Sequence, residues 1–156
     1  MYTPTKQERM EQIAEENDIE LVNESFSGTK KAACLELEAN NYIVLDDGKI
    51  ESTAERVCLL AEELGLYATG GSMYLTDEFN APKYRMEIIK RKGQAKAWAI
   101  NKLLTADEIQ QAIDKLYYDG VCEVAEHLGV TLEQLDKAVD YFVSCGFAFA
   151  YPEDYA

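Results

Sequence analysis

Residues 55–66, ERVCLLAEELGL, are apolar at most positions and end in two adjacent carboxylates followed by Leu-Gly-Leu. Apolar side chains occupy nearly every side of the helix that this stretch predicts over about residues 53–65. Gly65, or the Gly70-Gly71 pair, can end this helix. A helix that is apolar on several sides needs packing partners around it, so it is expected to run through the core.

The segment before this helix predicts a small sheet. A mostly polar helix with a narrow apolar stripe is expected first, over about residues 6–17. Short apolar runs then predict three strands, at residues 19–22, 33–37 and 42–45, with the last two joined as a hairpin through residues 38–41. The predicted fold class is therefore α+β, with a small, mostly antiparallel sheet of about three strands packed on the helix of residues 53–65.

The second half of the chain predicts only helices. Thr105 begins a Thr-Ala-Asp-Glu capping box, in which Glu108 is the third residue after the cap. The expected organisation is one domain over residues 1–104 and a helical lobe over residues 105–156, packed on the same core. The predicted helices cover residues 83–104, 106–118, 121–128 and 132–144.

Part of the helical lobe, residues 121–142, resembles a helix-turn-helix around a Gly-Val-Thr turn. A recognition helix needs basic or amide side chains toward DNA. The second helix offers Glu133, Gln134, Asp136, Lys137 and Asp140, whose net charge has the wrong sign for phosphate. A helical pair packed against the core is therefore the expected role.

The net charge restricts the classes of partner. The 156 residues include 29 Asp and Glu against 15 Lys and Arg, for a formal net charge of −14. Such a surface repels phosphate backbones, so no direct binding of nucleic acid is expected. No apolar run approaches the ~18 residues of a membrane span, and the polar N-terminus has no secretory signal. We therefore expect a cytoplasmic protein without membrane association.

The four cysteines are widely spaced and include no C-x-x-C pair, so they predict neither a zinc knuckle nor a redox motif. Cys58, Cys122 and Cys145 lie in apolar contexts and are predicted to be buried free thiols. Such thiols fit a reducing compartment.

Residues 62–66, Glu-Glu-Leu-Gly-Leu, stand where a His-Glu-x-x-His motif would place two metal-binding histidines and a glutamate base. Two longer segments, ERVCLLAEELGLYATGG (55–71) and KGQAKAWAINKLL (92–104), carry a wider resemblance. They resemble the zinc helix and the Glu-x-x-Ala-x-x-Phe/Trp-Ala helix of the ImmA/IrrE family of zinc-peptidase-like proteins, which are common beside phage-type repressors. The resemblance covers about residues 6–143 and implies a zincin-like active-site helix.

The resemblance assigns the family's three metal-ligand positions to Glu62, Leu66 and Lys92, and its general base to Glu63. Leu66 has no lone pair, and the Lys92 ammonium would repel zinc. His127 is the sole histidine, so two histidines cannot form a site within one subunit. Zinc is expected in active family members; here no metal or other cofactor is predicted, and Glu63 is expected to be inactive as a base.

Two adjacent carboxylates in a poorly solvated site would be costly without a cation. We therefore hypothesise that Lys92 replaces the charge of the metal by pairing with Glu62 or Glu63, and that Leu66 fills the volume left empty. Aromatic side chains near the former cleft are candidates for lining a groove, namely Tyr67, Tyr74 and Trp98, although a core role is the default for Trp98.

Two functions follow as expectations. The first is a non-catalytic, zinc-peptidase-like protein that binds a protein partner, such as a phage-type repressor or its regulator. The alternative is a metal-dependent peptidase that cleaves a repressor-type protein, with Glu62, Glu63 and either Asp77 or Glu87 forming an atypical carboxylate site. Oxygen ligands alone would favour Mg²⁺ or Mn²⁺ over zinc.

Overall fold

The computed structural model describes residues 2–70 and 85–152. Within these ranges the chain forms six α-helices and one three-stranded sheet, which confirms the predicted α+β class. The chain divides into two compact units, residues 1–99 and residues 100–156. The helices are α1 (Lys6–Glu16), α2 (Thr53–Thr69), α3 (Arg85–Leu103), α4 (Ala106–Leu116), α5 (Val121–Leu128) and α6 (Leu132–Ser144), and the strands are β1 (Ile19–Asn23), β2 (Ala32–Leu37) and β3 (Asn40–Leu45).

The sheet is mixed, which corrects the prediction of a mostly antiparallel sheet. Its order is β1-β3-β2, with β2 antiparallel to β3 and β1 parallel to β3. The predicted hairpin of β2 and β3 is present. Strand β3, the second strand of this hairpin, lies between β1 and β2. The loop of residues 24–31 crosses the end of the sheet, so that β2 begins on the far side of the position that β3 later takes. The chain then turns and runs along β3, parallel to β1.

Asp46, which follows β3, holds this loop in place. Its Oδ2 accepts a hydrogen bond from the Phe26 N–H (3.0 Å), and its own N–H donates to the Lys31 carbonyl (2.8 Å). The Lys49 ammonium lies 3.4 Å from the Asp46 carboxylate. The bond from Phe26 is the main reason that the pKa of Asp46 lies below its usual value. A buried carboxylate with these partners fixes the crossing that gives the sheet its order.

The turn between β2 and β3 is shorter than predicted. Glu38 and Ala39 alone form it, with left-handed φ angles of 52° and 65°. A two-residue turn with both φ angles positive matches the twist of a hairpin, so the next two residues pair with β2 as part of β3.

Helix α2 runs through the core of the first unit and is longer than predicted. It continues through Gly65 and ends before Gly70, so Gly70 is the terminator and Gly65 is not. A Cβ atom on Gly65 would lie only 2.5 Å from the backbone oxygen of Ala95 on α3. Gly65 therefore permits the close approach of two helix backbones. The buried side of α2 contains Val57, Cys58, Leu60, Ala61 and Leu64.

The second unit contains α4, α5 and α6 around an apolar core, and its predicted capping box at Thr105 and Glu108 is confirmed. Ala150 is held on this unit, because the Gln110 side chain bonds both the N–H (2.9 Å) and the carbonyl (2.8 Å) of Ala150. The buried core side chains of the unit include Ile109, Ile113, Val124, Leu128 and Leu135.

Two of the three cysteine predictions were wrong. Cys58 is buried as expected, but Cys122 and Cys145 are exposed. The first turn of α5 and the end of α6 direct these two positions to solvent, although their sequence neighbours are apolar. Cys34 is the second buried thiol. No helix in the described part of the chain is long and apolar enough to cross a membrane.

Candidate functional site

A cavity of about 370 Å³ in the first unit contains the principal candidate site. Its walls come from three parts of the chain: β2 with the residues before it, the middle of α2, and α3. Glu62, Glu63, Leu66 and Lys92 all line this cavity. The structure thus brings together the four positions that the sequence analysis singled out. The remaining lining residues are Lys30, Ala32, Ala33, Cys34, Ala95 and Lys96.

Helical spacing explains why α2 supplies three of these side chains. Glu62 and Leu66 are four residues apart and therefore share one face of the helix. Leu64 and Gly65, between them, are buried, whereas the three cavity residues of α2 are only half-buried. The helix therefore packs one side into the core and turns its two carboxylates toward the cavity.

Glu63 is a strongly perturbed carboxylate in the cavity. Burial raises its pKa to about 7, and the neighbouring charge of Glu62 acts in the same direction. The thiol and the backbone N–H of Cys34 donate hydrogen bonds to this carboxylate, and they lower the pKa, as does the charge of Lys30. Because burial has the largest effect, Glu63 changes protonation near neutral pH.

Cys34 is held as a thiol by the same environment. Burial, followed by the charge and the hydrogen bond of Glu63, raises the pKa of Cys34 to about 12. A protonated thiol is a poor nucleophile and donates a weak hydrogen bond. Cys34 therefore contacts Glu63 as a hydrogen-bond donor and is not activated as a nucleophile.

The backbone of β2 explains how Cys34 reaches Glu63. The Asp46 N–H bonds the Lys31 carbonyl, and the antiparallel register then places Ala33 and Leu35 in hydrogen-bonded pairs with β3. In an antiparallel ladder, alternate residues direct their N–H and C=O groups away from the partner strand. The N–H and C=O groups of Cys34 consequently face the open edge of β2, where the Glu63 carboxylate accepts a hydrogen bond from the Cys34 N–H.

Sequence reasoning missed Cys34 as a site residue. The available signal was the alternation in residues 32–37, AACLEL, in which Ala32 and Cys34 share one face of the strand. Both are buried. The contact with Glu63 also depends on how β2 is placed against α2, which the alternation does not encode.

Leu66 was expected to fill the volume of the lost metal site, and Lys92 was expected to pair with Glu62 or Glu63. Leu66 lines the cavity without closing it, since about 370 Å³ remains. Lys92 is exposed and lines the same cavity as both carboxylates. Its pairing with Glu62 or Glu63 stays a hypothesis.

The predicted groove residues lie elsewhere. Tyr67 and Trp98 line a separate cavity of about 200 Å³ in the first unit. The Tyr67 hydroxyl lies 2.8 Å from the backbone oxygen of Leu35 and 2.9 Å from that of Tyr42, so it ties α2 to the sheet. Burial raises the pKa of Tyr67 to about 12. Tyr74 lies outside the described residues.

The residues present do not fit the family's zinc site. Leu66 offers no donor atom, and Lys92 brings a positive charge. In residues 2–70 and 85–152, no three His, Cys, Asp or Glu side chains converge to hold a metal ion, and His127 is exposed. Asp77 and the side chain of Glu87, the additional ligands of the alternative site, lie outside the described part.

Comparisons of the chain with protein-family models, with curated proteins and with solved structures gave no match.

Proposed function

We propose that this chain is a non-catalytic binding protein on a scaffold of the ImmA/IrrE type, and that its first unit holds a segment of a protein partner such as a phage-type repressor or its regulator. One observation supports this proposal above the others. The four positions that the resemblance assigns to metal chemistry line one cavity, yet Glu62 is the only ligand position that could coordinate a metal.

The edge of β2 offers a route for the partner. Among the described strands β2 pairs only with β3, and its alternate backbone groups face away from that partner. An extended segment can add to such an edge through backbone hydrogen bonds and place a side chain in a neighbouring pocket. Glu63 already accepts the N–H of Cys34, so the added segment would pair with Ala32 and Glu36 on either side.

Rebuilding the ligand set tests the scaffold. The triple variant E62H/L66H/K92E restores two histidines four residues apart, the third carboxylate and the retained Glu63. We expect about one equivalent of zinc in this variant and less than about a tenth in the wild type, measured by mass spectrometry after dialysis against mixed divalent ions. The double variant E62H/L66H, which keeps Lys92, is the matched control and should bind zinc more weakly. A triple variant without zinc would contradict the scaffold.

Binding to a repressor tests the partner. Purified phage-type repressors from the same genome are titrated with the wild type and with L66R, which places a charged side chain in the cavity. The matched control is V143R at an exposed position of α6 in the second unit. We expect binding without cleavage, weakened about tenfold or more by L66R and little changed by V143R. Equal binding by all three proteins would exclude the cavity as the binding site for the repressor.

The alternative is a metal-dependent peptidase that cleaves a repressor-type protein. The pKa of Glu63 near 7 favours it, because a general base works best when its pKa lies near the working pH. It predicts near-stoichiometric metal in the wild type and repressor fragments that disappear with chelator and in E63Q. Binding without fragments would instead favour the non-catalytic function.

A further inference from the structure

The second unit contains a groove of about 350 Å³ that the proposed function does not use. Its floor is apolar and comes from three helices, with Ile109 and Ile113 of α4, Val124 of α5 and Leu135 of α6. All four side chains are buried. The volume lies within the range of sites that accept ligand or anchor side chains.

The rim of this groove is acidic and aromatic. Asp136 and Asp140 lie four residues apart on α6 and are exposed, so two like charges share one face. No hydrogen bond or ion pair joins either carboxylate to another described residue. The rings of Tyr117 and Tyr151 also line the groove, with centroids 5.7 Å apart. Among the residues that the structure describes, no Lys, Arg or His lines it.

We propose that this groove binds a basic amphipathic segment of a protein partner. An apolar side chain of the segment would occupy the floor, and a Lys or Arg would lie between the two Asp carboxylates and the tyrosine rings. Carboxylates bond such a cation directly, and aromatic faces attract it. Val121, which is 53% exposed at the groove, supplies apolar surface for the same segment.

Charge complementarity selects this occupant over four others. Residues 153–156 of the chain, Glu-Asp-Tyr-Ala, carry two carboxylates that Asp136 and Asp140 would repel. A second copy of the chain brings a net charge of −14. Anionic lipid or nucleic acid would meet the same repulsion. The proposal concerns the second unit and does not rest on the function proposed for the first.

The test uses the full chain, labelled with ¹⁵N, and a helical Leu/Lys peptide of about 14 residues as the probe. Titration in about 0.15 M salt limits non-specific attraction. We expect chemical-shift changes centred on α5 and α6 at the groove. A peptide with the same lysines and Ser in place of Leu should bind at least about tenfold more weakly, because it has nothing for the apolar floor.

Variants separate the groove from general acidity. D136N/D140N should weaken the probe about tenfold or more, and V121K should weaken it similarly by placing a cation at the exposed mouth. The control E15Q/E20Q removes two exposed charges from the first unit and should change the affinity less than about twofold. Shift changes spread over the whole surface, equal losses in both charge-removal pairs, or equal binding of the Ser peptide would each overturn the proposal.

Discussion

Glu63 makes the stability of the protein depend on pH near neutrality. Burial raises the pKa of Glu63 to about 7 from its usual value of 4.5, so the folded state binds this proton more tightly than the unfolded chain does. The contribution of Glu63 is therefore most favourable below about pH 4.5. This contribution to the free energy of unfolding falls as the pH rises. Above about pH 7 the full cost of burying the charged Glu63 carboxylate is present.

The variant E63Q should remove this dependence. Between about pH 5 and about pH 8, the wild type should lose on the order of 2 kcal/mol of unfolding free energy relative to E63Q. Urea denaturation of both proteins at the two pH values measures the difference, and the variant itself serves as the control for all other titrating groups. A constant difference across the range would contradict the raised pKa.

Two glycines in neighbouring helices provide a matched pair. G65A should destabilise the protein by about 2 kcal/mol or more, because its Cβ would meet the Ala95 backbone at 2.5 Å. G93A, in α3, meets nothing within 4 Å and should stabilise by up to ~1 kcal/mol through helix propensity. Denaturant midpoints measure both. If G65A left the free energy of unfolding unchanged, α2 and α3 would be able to move apart at little cost.

Two of the three walls of the cavity in the first unit could be predicted from the sequence, and the wall from β2 could not. The grouping of Glu62, Glu63 and Leu66 follows from helical spacing alone. The proximity of Lys92 was expected from the family resemblance. The contribution of Cys34 could not be predicted, because it depends on the register of β2 and on its distance from α2.

The start of α4 was predictable because its cap is local. Thr105 bonds the Glu108 N–H at 3.1 Å, and the Glu108 side chain accepts from the Thr105 N–H at 3.3 Å, as the Thr-Ala-Asp-Glu pattern predicted. Both bonds lie within four residues of sequence, so no tertiary information is needed.

Removing this cap gives a prediction for α4. T105A should cost about 1 kcal/mol of unfolding free energy, because the Glu108 N–H loses its acceptor. T105S, which keeps the hydroxyl, should cost much less and is the control. Both are measured by urea denaturation, and an equally large loss in T105S would point to packing of the methyl group instead.

The strand order was not predictable in the same way. The parallel pairing of β1 and β3 requires the loop of residues 24–31 to cross the end of the sheet. That crossing depends on Asp46 bonding Phe26, twenty residues away. Local alternation of apolar residues detects strands, but it carries no information on which strand lies between two others.

At the scale of the whole molecule, the charge imbalance of 29 acidic against 15 basic residues works against the compact state. Raising NaCl from about 0.02 M to about 0.3 M should increase Tm by about 2–4 °C, since screening reduces self-repulsion. The same addition near the sequence pI of about 4.4 is the control and should give no rise. A Tm that falls with salt at neutral pH would show that attractive pairs outweigh the repulsion.

The burial of the cysteines gives the protein an internal reporter of local opening. Cys34 and Cys58, in the first unit, are buried, whereas Cys122 and Cys145, in the second, are exposed. A thiol reagent should therefore modify two groups at once and the other two only as fast as the first unit opens. Mass spectrometry of a timed reaction would give the opening rate of that unit without any added probe. Modification of all four thiols at one rate would contradict the burial.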